Sequence, residues 1–550
     1  MNELNAIPPK IRRVLPAFFI GGAAAFFITS FLINFYSGPI SFIFLTLLST
    51  SLCATTTYWI FFRAPSAPRN WTSALALIPA SYLALSGFAL LSNFPTLFDS
   101  RLLFMDSSRI PLFIIAAICA LPLTWLLVRR ELGRCNATSL HGLLLAGIFF
   151  ITYFLFAATV NFPGHYTLDQ YFDIDISAWL ARLQAASAAN ITDVVRAVHP
   201  AVLLFLRPAV WFVSLFLNGD RLHAVFIVHA LAASACVFLA WKIILRASGN
   251  NAYAILMASL LGVSASHLVL GSMIETYIYS ALAVLFFVSL LQNESPSLKS
   301  LVPAGVLVFG ITITNLAQTA ILFFVTQPRR IVNIIQYGLL VVTIGLVLNL
   351  IQVALFPAAQ PLTLTNIRAE QGYQFDAQES PWRTRGRAVL TVRAVALYGI
   401  VAPEPFILTK ELGVDFPNFR TFEITKGEFH VAGYSGLGDL LAKVWMLILA
   451  ASLALFAWDW FKGRRNTFSL GLLLCVGFNL ALHLVYGDDP MLYSPDWVYA
   501  LVLFVAFALQ RFAAQKWFLA ALSIFLIALI TNNLYLLEQI MQASAPFYGK

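Results

Sequence analysis

The sequence predicts an all-α polytopic membrane protein. Of its 550 residues, 60% are hydrophobic and only 11% are charged, and the mean hydropathy is +0.82. Apolar runs of about 20 residues recur along the chain, and each is long enough to cross a hydrocarbon core of about 30 Å. Such runs fold as helices because lipid cannot satisfy backbone polar groups. The alternating pattern of a membrane barrel is absent.

About fifteen spans are expected from these runs. They lie near residues 14–36, 40–62, 73–93, 110–128, 140–160, 222–245, 252–270, 275–292, 300–316, 317–328, 331–357, 441–460, 467–486, 494–511 and 517–537. A further apolar run, 201–218, is interrupted by Arg207 and Pro208. We expect it to lie on or dip into the outer leaflet.

Basic residues mark alternate loops and predict the orientation of the chain. The first clusters are Lys10, Arg12 and Arg13; Arg63 and Arg69; and Arg129, Arg130 and Arg134. Because cytoplasmic loops are enriched in Lys and Arg, this alternation predicts a cytoplasmic N-terminus and an outer loop after residue 160. The net charge of +9 is thereby explained by membrane orientation, so we expect no nucleic-acid partner.

The most informative loop is 161–200, where Asp169, Asp173 and Asp175 follow a span in a chain that has few acids. Carboxylates grouped beside an apolar span are typical of a functional site. The run DIDISAWLARL predicts an amphipathic helix that begins at Asp173 and carries Asp173 and Ser177 on one face. The alternative is that these acids only cap a solvated surface helix.

The longest polar segment, 358–440, predicts a small cap over the acidic loop, since a loop of this length in a compact protein is usually functional. The domain prediction is therefore four additional N-terminal spans in 1–139, a core in 140–357, the cap in 358–440 and four C-terminal spans in 441–550.

Residues 173–182 resemble the first outer loop of the GT-C superfamily of lipid-linked-sugar glycosyltransferases, in the branch of the aminoarabinose and protein O-mannosyl transferases. That loop has the form D-E-x-x-Y-A-x-x-A-R. The residues in register are Asp173, Ala178, Ala181 and Arg182, whereas Ile174 and Ser177 replace the second acid and the tyrosine. The following His199, Pro200 and AVLLFLRPAVW resemble the family's Pro-rich turn and outer helix, with Ala201 in place of a second proline.

Three later segments extend the resemblance over residues 140–511, and the four preceding spans lie outside it. SASHLVLGSMIETYIYS supplies an acid, Glu275, at an outer turn. GITITNLAQT resembles a short span pair with a polar turn, with Asn315 where the family often has lysine. HLVYGDDPMLYSPDW resembles a Tyr-rich outer loop with Tyr486, Asp488, Asp489, Tyr493 and Ser494.

The resemblance implies a GT-C-like bundle with outer-face loops that transfers a monosaccharide from a polyprenyl-phosphate carrier to a glycan, lipid or protein acceptor. It places the enzyme in a bacterial inner membrane with a periplasmic active site. Asp173 is the expected base by family position. The expected substrate-binding residues are Asp169, Asp175, His199, Glu275, Arg383, Arg385 and Tyr493.

The chemistry requires a base for the acceptor hydroxyl and positive charge or a metal near the phosphate. Arg383, Arg385 and Arg387 are phosphate candidates because guanidinium groups bind phosphate bidentately; the alternative is a solvated basic face. Asp175 and Glu275 are candidates for a divalent cation, although oxygen ligands alone do not establish one. No other cofactor is expected.

Two other functions remain open from the sequence. A polysaccharide ligase or polymerase also uses a lipid-linked donor and a large outer loop, but it transfers a chain rather than one sugar. A transporter or flippase for lipid or sugar requires acids or broken helices near the bilayer midplane and usually an internal repeat. The acids here lie at predicted outer ends of spans, and no repeat is visible.

Overall fold

The computed structural model describes residues 9–36, 38–59, 71–129, 137–293, 296–327, 331–375, 381–408 and 416–548. The helices in these ranges are α1 Pro9–Leu32, α2 Pro39–Thr57, α3 Trp71–Ala76, α4 Ile78–Ser92, α5 Ile110–Cys119, α6 Leu121–Arg129, α7 Ala137–Val160, α8 Ile176–Gln184, α9 Val202–Leu215, α10 Arg221–Ser248, α11 Asn251–Val263, α12 Ala265–Leu270, α13 Tyr277–Leu291, α14 Leu298–Ile311, α15 Leu316–Thr326, α16 Ile331–Leu355, α17 Leu364–Ala369, α18 Pro381–Arg393, α19 Gly436–Phe461, α20 Thr467–Val485, α21 Pro495–Leu509 and α22 Lys516–Ser544. The strands are β1 Phe406–Leu408, β2 Asn418–Arg420, β3 Phe422–Thr425 and β4 Glu428–Val431.

Within the described ranges, eleven helical segments are long and apolar enough to cross a membrane, which supports the predicted multi-pass helical membrane protein. The remaining four predicted spans correspond to α11, α13, α14 and α15, which have 13, 15, 14 and 11 residues. At 1.5 Å per residue these helices are only about 16 to 22 Å long. The count of fifteen crossings therefore stays a prediction.

The chain folds as two compact units, and the first comprises Met1–Trp71, Phe98–Leu144 and Ser214–Asp220. In this unit α2 packs against α1, α5 and α6. Gly21 allows a close approach of α1 to α2, because a Cβ atom there would lie 2.4 Å from the Ala54 backbone. A hydrogen bond of 2.7 Å between the Thr29 and Ser49 hydroxyls joins the same two helices.

The second unit comprises Thr72–Leu97, Leu145–Val213 and Arg221–Lys550, and α21 lies at its centre. Every residue of α21 is buried, and the helix packs against α10, α11, α13, α19 and α20. Asp496 in its first turn accepts a hydrogen bond of 2.7 Å from the Asn315 side chain, so this carboxylate is satisfied inside the bundle. The third predicted N-terminal span, α3 and α4, also belongs to this unit. The division of the chain at residue 139 stays a prediction.

The predicted cap segment contains strands as well as helices. β1 pairs antiparallel with β2, and β3 pairs antiparallel with β4. Lys426 and Gly427 connect β3 to β4 with φ of +51° and +77°, as in a type I′ turn, which needs glycine or a similarly tolerant residue. This local structure was missed from the sequence, and it matters because β2 ends at Arg420.

We predict that Gly21→Ala lowers the free energy of unfolding by about 1 to 3 kcal/mol, since overpacking at a helix contact costs about that much. The matched control is Gly22→Ala, because a Cβ atom at Gly22 meets nothing within 4 Å. Alanine there should be neutral or slightly stabilising. Thermal unfolding of both variants in the same detergent gives the comparison, and equal Tm values would contradict the close α1–α2 contact.

Candidate functional site

A cavity of about 590 Å³ lies at one end of the second unit, within the size range of small-molecule sites. Its walls come from the loop 161–200, called the first loop below, and from the turn before α13, the segment 360–373, the end of β2 and the segment 488–493. All lining residues lie outside the eleven membrane-length segments. Six sequence-predicted residues line it together: Asp169, Asp173, Asp175, His199, Glu275 and Tyr493.

Where the first loop lines this cavity, its backbone contains several residues with positive φ. Asp169, Phe172 and Asp173 all have left-handed conformations, with φ of +58°, +54° and +62°. Such conformations are costly for residues other than glycine and persist only when the surroundings fix them. Here the loop pairs with β2, since the Phe172 amide donates to the Phe419 carbonyl at 2.8 Å and the Phe419 amide donates to Gln170 at 2.7 Å.

From Phe172 to Ile176, buried side chains alternate with partly exposed ones. Tyr171, Phe172 and Ile174 are fully buried, whereas Asp173 and Asp175 line the cavity. α8 begins at Ile176, after Asp175, so the predicted helix start at Asp173 is wrong by three residues. The left-handed backbone at Asp173 prevents an earlier start, and Asp173 and Ser177 do not share a helix face.

Asp173 joins three distant parts of the chain. One carboxylate oxygen pairs with Arg420 at 2.8 Å, and the other accepts the Asp489 amide N–H at 2.7 Å. Burial raises the pKa of Asp173 to about 7, and the neighbouring Arg420 guanidinium opposes this shift without restoring the ordinary value. The Asp173 carboxyl group therefore takes up a proton more readily than an ordinary aspartic acid.

The other acids form a second group beside Asp173. The side chains of Asp169 and Asp175 are hydrogen-bonded to each other, and burial raises the pKa of each to about 6. Glu275 accepts hydrogen bonds from the Asp175 amide at 3.1 Å, from the Thr276 amide at 2.7 Å and from the Thr276 hydroxyl at 3.0 Å. Burial is also the main reason that the pKa of Glu275 is raised.

These contacts lend no support to a cation site at Asp175 and Glu275, which stays a prediction. The Glu275 carboxylate accepts its hydrogen bonds from protein donors, and it meets Asp175 through a backbone amide. Across the residues that the structure describes, no group of three or more His, Cys, Asp or Glu side chains is arranged to hold a metal ion.

Three arginines that the site prediction did not include line the cavity: Arg182, Arg196 and Arg420. The Arg182 guanidinium lies over the Trp179 ring at 4.6 Å, and one of its nitrogens donates to the Val194 carbonyl at 2.8 Å. Its buried Nε has no hydrogen-bond partner within the described ranges. An unsatisfied buried donor on a cation is costly, so this group suits an anionic ligand.

Arg196 is held in a different way. It forms an ion pair with Glu370, donates to the Tyr486 hydroxyl at 2.7 Å and lies over the Tyr373 ring at 3.9 Å. Glu370 and Tyr373 belong to the segment that follows α16, which pairs with the first loop where the Val195 amide donates to the Ala358 carbonyl at 3.0 Å. This segment covers one side of the cavity.

The predicted phosphate-binding arginines lie elsewhere. Arg383 and Arg385 are on α18 and do not line the cavity, and Arg385 is exposed. Arg387 is buried and donates to the backbone carbonyls of His483, Tyr486, Gly487 and Asp488, so it shapes the turn before α21. In sequence the three arginines look alike, and only their tertiary contacts distinguish them.

His199 and Tyr493 line the cavity as predicted site residues, but their contacts limit what they can bind. Burial lowers the pKa of His199 to about 4, so the ring is neutral at pH 7, and its Nδ1 is 2.7 Å from the Ile311 carbonyl. A neutral ring that donates through Nδ1 presents an acceptor on the other nitrogen, which suits a hydroxyl better than a phosphate. Tyr493 stacks on His483, with ring centroids 4.4 Å apart.

Comparison of this chain with protein-family models, with curated proteins and with solved structures finds no match. The chemistry of the cavity therefore has to be inferred from its own residues.

We predict that the protein becomes less stable as the pH rises from about 5 to about 8. Asp169, Asp173 and Asp175 have pKa values near 6, 7 and 6, above their ordinary 3.8, so the folded protein retains protons that the unfolded chain has released. These protons contribute their full stability below the pKa of 3.8 that the acids have in the unfolded chain. That contribution is lost as the pH rises through their pKa values of about 6 to 7 in the folded protein.

The measurement is the Tm in detergent across this range, with an expected fall of at least about 2 °C in the wild type. Asp169→Asn combined with Asp175→Asn should flatten the curve. Glu428→Gln is the matched control because that side chain is 76% exposed and should leave the slope unchanged. A wild-type curve that is flat or rises over this range would show that the acids are not desolvated.

Proposed function

We propose that this protein is a membrane glycosyltransferase that moves a monosaccharide from a polyprenyl-phosphate carrier to an acceptor hydroxyl at the outer face of a bacterial inner membrane. The resemblance in residues 140–511 suggests the class. The observation that carries the proposal is the largely buried Asp173 carboxylate, 11% exposed, which pairs with Arg420 in a cavity that Arg182 and Arg196 also line.

Asp173 suits the role of general base. A base works best when its pKa is near the operating pH, and burial raises the pKa of Asp173 to about 7. Arg420 and the Asp489 amide fix the orientation of the carboxylate, at 2.8 Å and 2.7 Å. Each carboxylate oxygen retains a further lone pair, so the group can still accept a proton.

The proposed reaction is a displacement at the anomeric carbon. Asp173 removes the proton of the acceptor hydroxyl while the acceptor oxygen forms a bond to the anomeric carbon. The bond between that carbon and the phosphate oxygen breaks, and polyprenyl phosphate leaves with the electron pair. We assign Arg182 to the phosphate, because its buried Nε lacks a hydrogen-bond partner among the described residues and its charge offsets that of the leaving group.

An apolar groove beside the cavity is consistent with a lipid-linked donor. Ala178, Trp179 and Arg182 of α8 line the cavity, whereas Leu183 at the end of the same helix lines a second space of about 350 Å³. The other walls of this groove are mainly apolar and include Leu203, Leu204, Pro208, Trp211, Leu355 and Phe356. A prenyl chain in the groove would place its phosphate near α8.

The location of the acids favours an enzyme over a transporter. A transport pathway places its binding groups near the bilayer midplane. The acids of this cavity all lie outside the membrane-length segments. A ligase or polymerase would use the same donor chemistry and is distinguished by its product, which gains a chain rather than one sugar.

The function is tested with purified protein and a panel of polyprenyl-phosphate sugars, by measuring the polyprenyl phosphate released. Asp173→Asn should lower turnover by about 10²- to 10⁴-fold, the usual contribution of a general base. Glu428→Gln, which removes an exposed acid, should leave turnover unchanged. Full activity in Asp173→Asn would remove Asp173 as the base, and no release from any donor would argue against the proposed class.

Membrane topology is tested by cysteine labelling in a variant without native cysteines. Ala189→Cys lies at an exposed position of the first loop, and Arg465→Cys lies at an exposed position between α19 and α20. A membrane-impermeant thiol reagent added from the periplasmic side should label Ala189→Cys at once and Arg465→Cys only after the inner membrane is permeabilised. The reverse pattern would place the cavity in the cytoplasm.

A further inference from the structure

A second polar cleft lies at the opposite end of α21. Tyr493, just before α21, lines the first cavity, and Gln510, just after it, lines this cleft. The 15 residues of α21 separate the two by about 22 Å. The cleft has a volume of about 340 Å³, and its polar lining consists of Asp459, Arg464, Asn466, Ser469, Gln510 and Arg511.

Positive charge is concentrated around this cleft. Residues 456–469 and 507–517 contain five cations and one acid, Asp459. The cations are Lys462, Arg464, Arg465, Arg511 and Lys516. Their loops belong to those that the charge distribution predicts to be cytoplasmic. An excess of positive charge beside a bilayer attracts anionic headgroups at about 1 kcal/mol per residue.

The contacts of these cations differ, and Lys516, which is exposed, does not line the cleft. Arg511 pairs with Asp459. Lys462 lies 5.0 Å from the Trp458 ring centroid, and Arg465 lies 5.7 Å from that of Trp460. Arg464 lines the cleft, and its guanidinium has no ion pair within the described part of the chain.

Exposed aromatic residues place the cleft at the depth of lipid headgroups. Trp458 and Phe461 at the end of α19 are 59% and 87% exposed, and Trp517 at the start of α22 is 63% exposed. Large aromatic side chains at the ends of spanning helices lie where hydrocarbon meets headgroups. In a membrane, a cation among them would be within reach of lipid phosphate.

We propose that this cleft binds the phosphate group of an anionic phospholipid, held by Arg464 with Arg511 as its neighbour. A guanidinium group offers paired N–H donors to phosphate oxygens, and the amide and hydroxyl side chains of the cleft provide further hydrogen bonds. Asp459 opposes the ligand, both by its charge and by engaging Arg511. This site is independent of the proposed transfer reaction.

The test uses the full-length protein in detergent with native mass spectrometry, which counts retained lipid molecules. The probes are phosphatidylglycerol, phosphatidylcholine and inorganic phosphate, each added separately. The wild type should retain phosphatidylglycerol in preference to phosphatidylcholine. Arg464→Gln should weaken phosphatidylglycerol retention about tenfold or more, the loss expected when a charge-assisted hydrogen bond to the phosphate is removed.

Two further variants make the test specific. Arg465→Gln removes the same charge from the same loop but does not line the cleft, so it loses only the general surface attraction and should weaken retention by no more than about fivefold. Asp459→Asn should strengthen retention, because it removes the opposing charge and releases Arg511. Equal losses for Arg464→Gln and Arg465→Gln, weaker retention in Asp459→Asn, or equal retention of the two lipids would overturn the proposal. Inorganic phosphate that binds as tightly as phosphatidylglycerol would also overturn the proposal, because the rest of the lipid would then contribute nothing to binding.

Discussion

The ion pair between Asp173 and Arg420, formed away from bulk water, is the interaction on which the candidate site depends. It joins the first loop to the end of β2, and the bond from the Asp489 amide adds the segment before α21. Asp489 is itself fully buried and accepts hydrogen bonds from the Thr421 amide and hydroxyl at 2.7 Å and 2.6 Å. Three segments that are distant in sequence thus meet at one carboxylate, and the left-handed backbone of the loop is held by the same contacts.

Burial gives this cavity its chemical character. Removing water from Asp169, Asp173 and Asp175 raises the pKa of each carboxyl group, which makes them proton acceptors and donors near neutral pH rather than permanent anions. The arginines on the cavity walls, of which Arg182 is buried, limit the accumulated negative charge and supply donors for an anion. The same unit presents exposed aromatics and cations at the other end of α21, where burial is low.

The sequence predicted the spanning helices and the acidic loop because both are local signals. Eleven apolar runs correspond to helices of membrane length, and Asp169, Asp173 and Asp175 lie in one cavity. The position of Arg420 was not predictable, because it depends on the pairing of β2 with β1 and with the first loop, inside a polar segment without clear periodicity. Arg383 and Arg385 had the right chemistry but lie on a helix outside the cavity. The local sequence pattern indicates which types of residue the site contains. Pairing between distant segments decides which individual side chains come together in the cavity.

A double-mutant cycle on Asp173 and Arg420 tests the central claim most directly and needs no assay of activity. Unfolding free energies are compared for Asp173→Asn, Arg420→Gln and the double variant. Each single change removes one partner of a largely buried contact and should lower the free energy of unfolding by about 1 to 3 kcal/mol. The double variant should be more stable than the sum of the single losses predicts, by at least about 1 kcal/mol. Additive losses would show that the two side chains do not interact, and the account of the site would then be wrong.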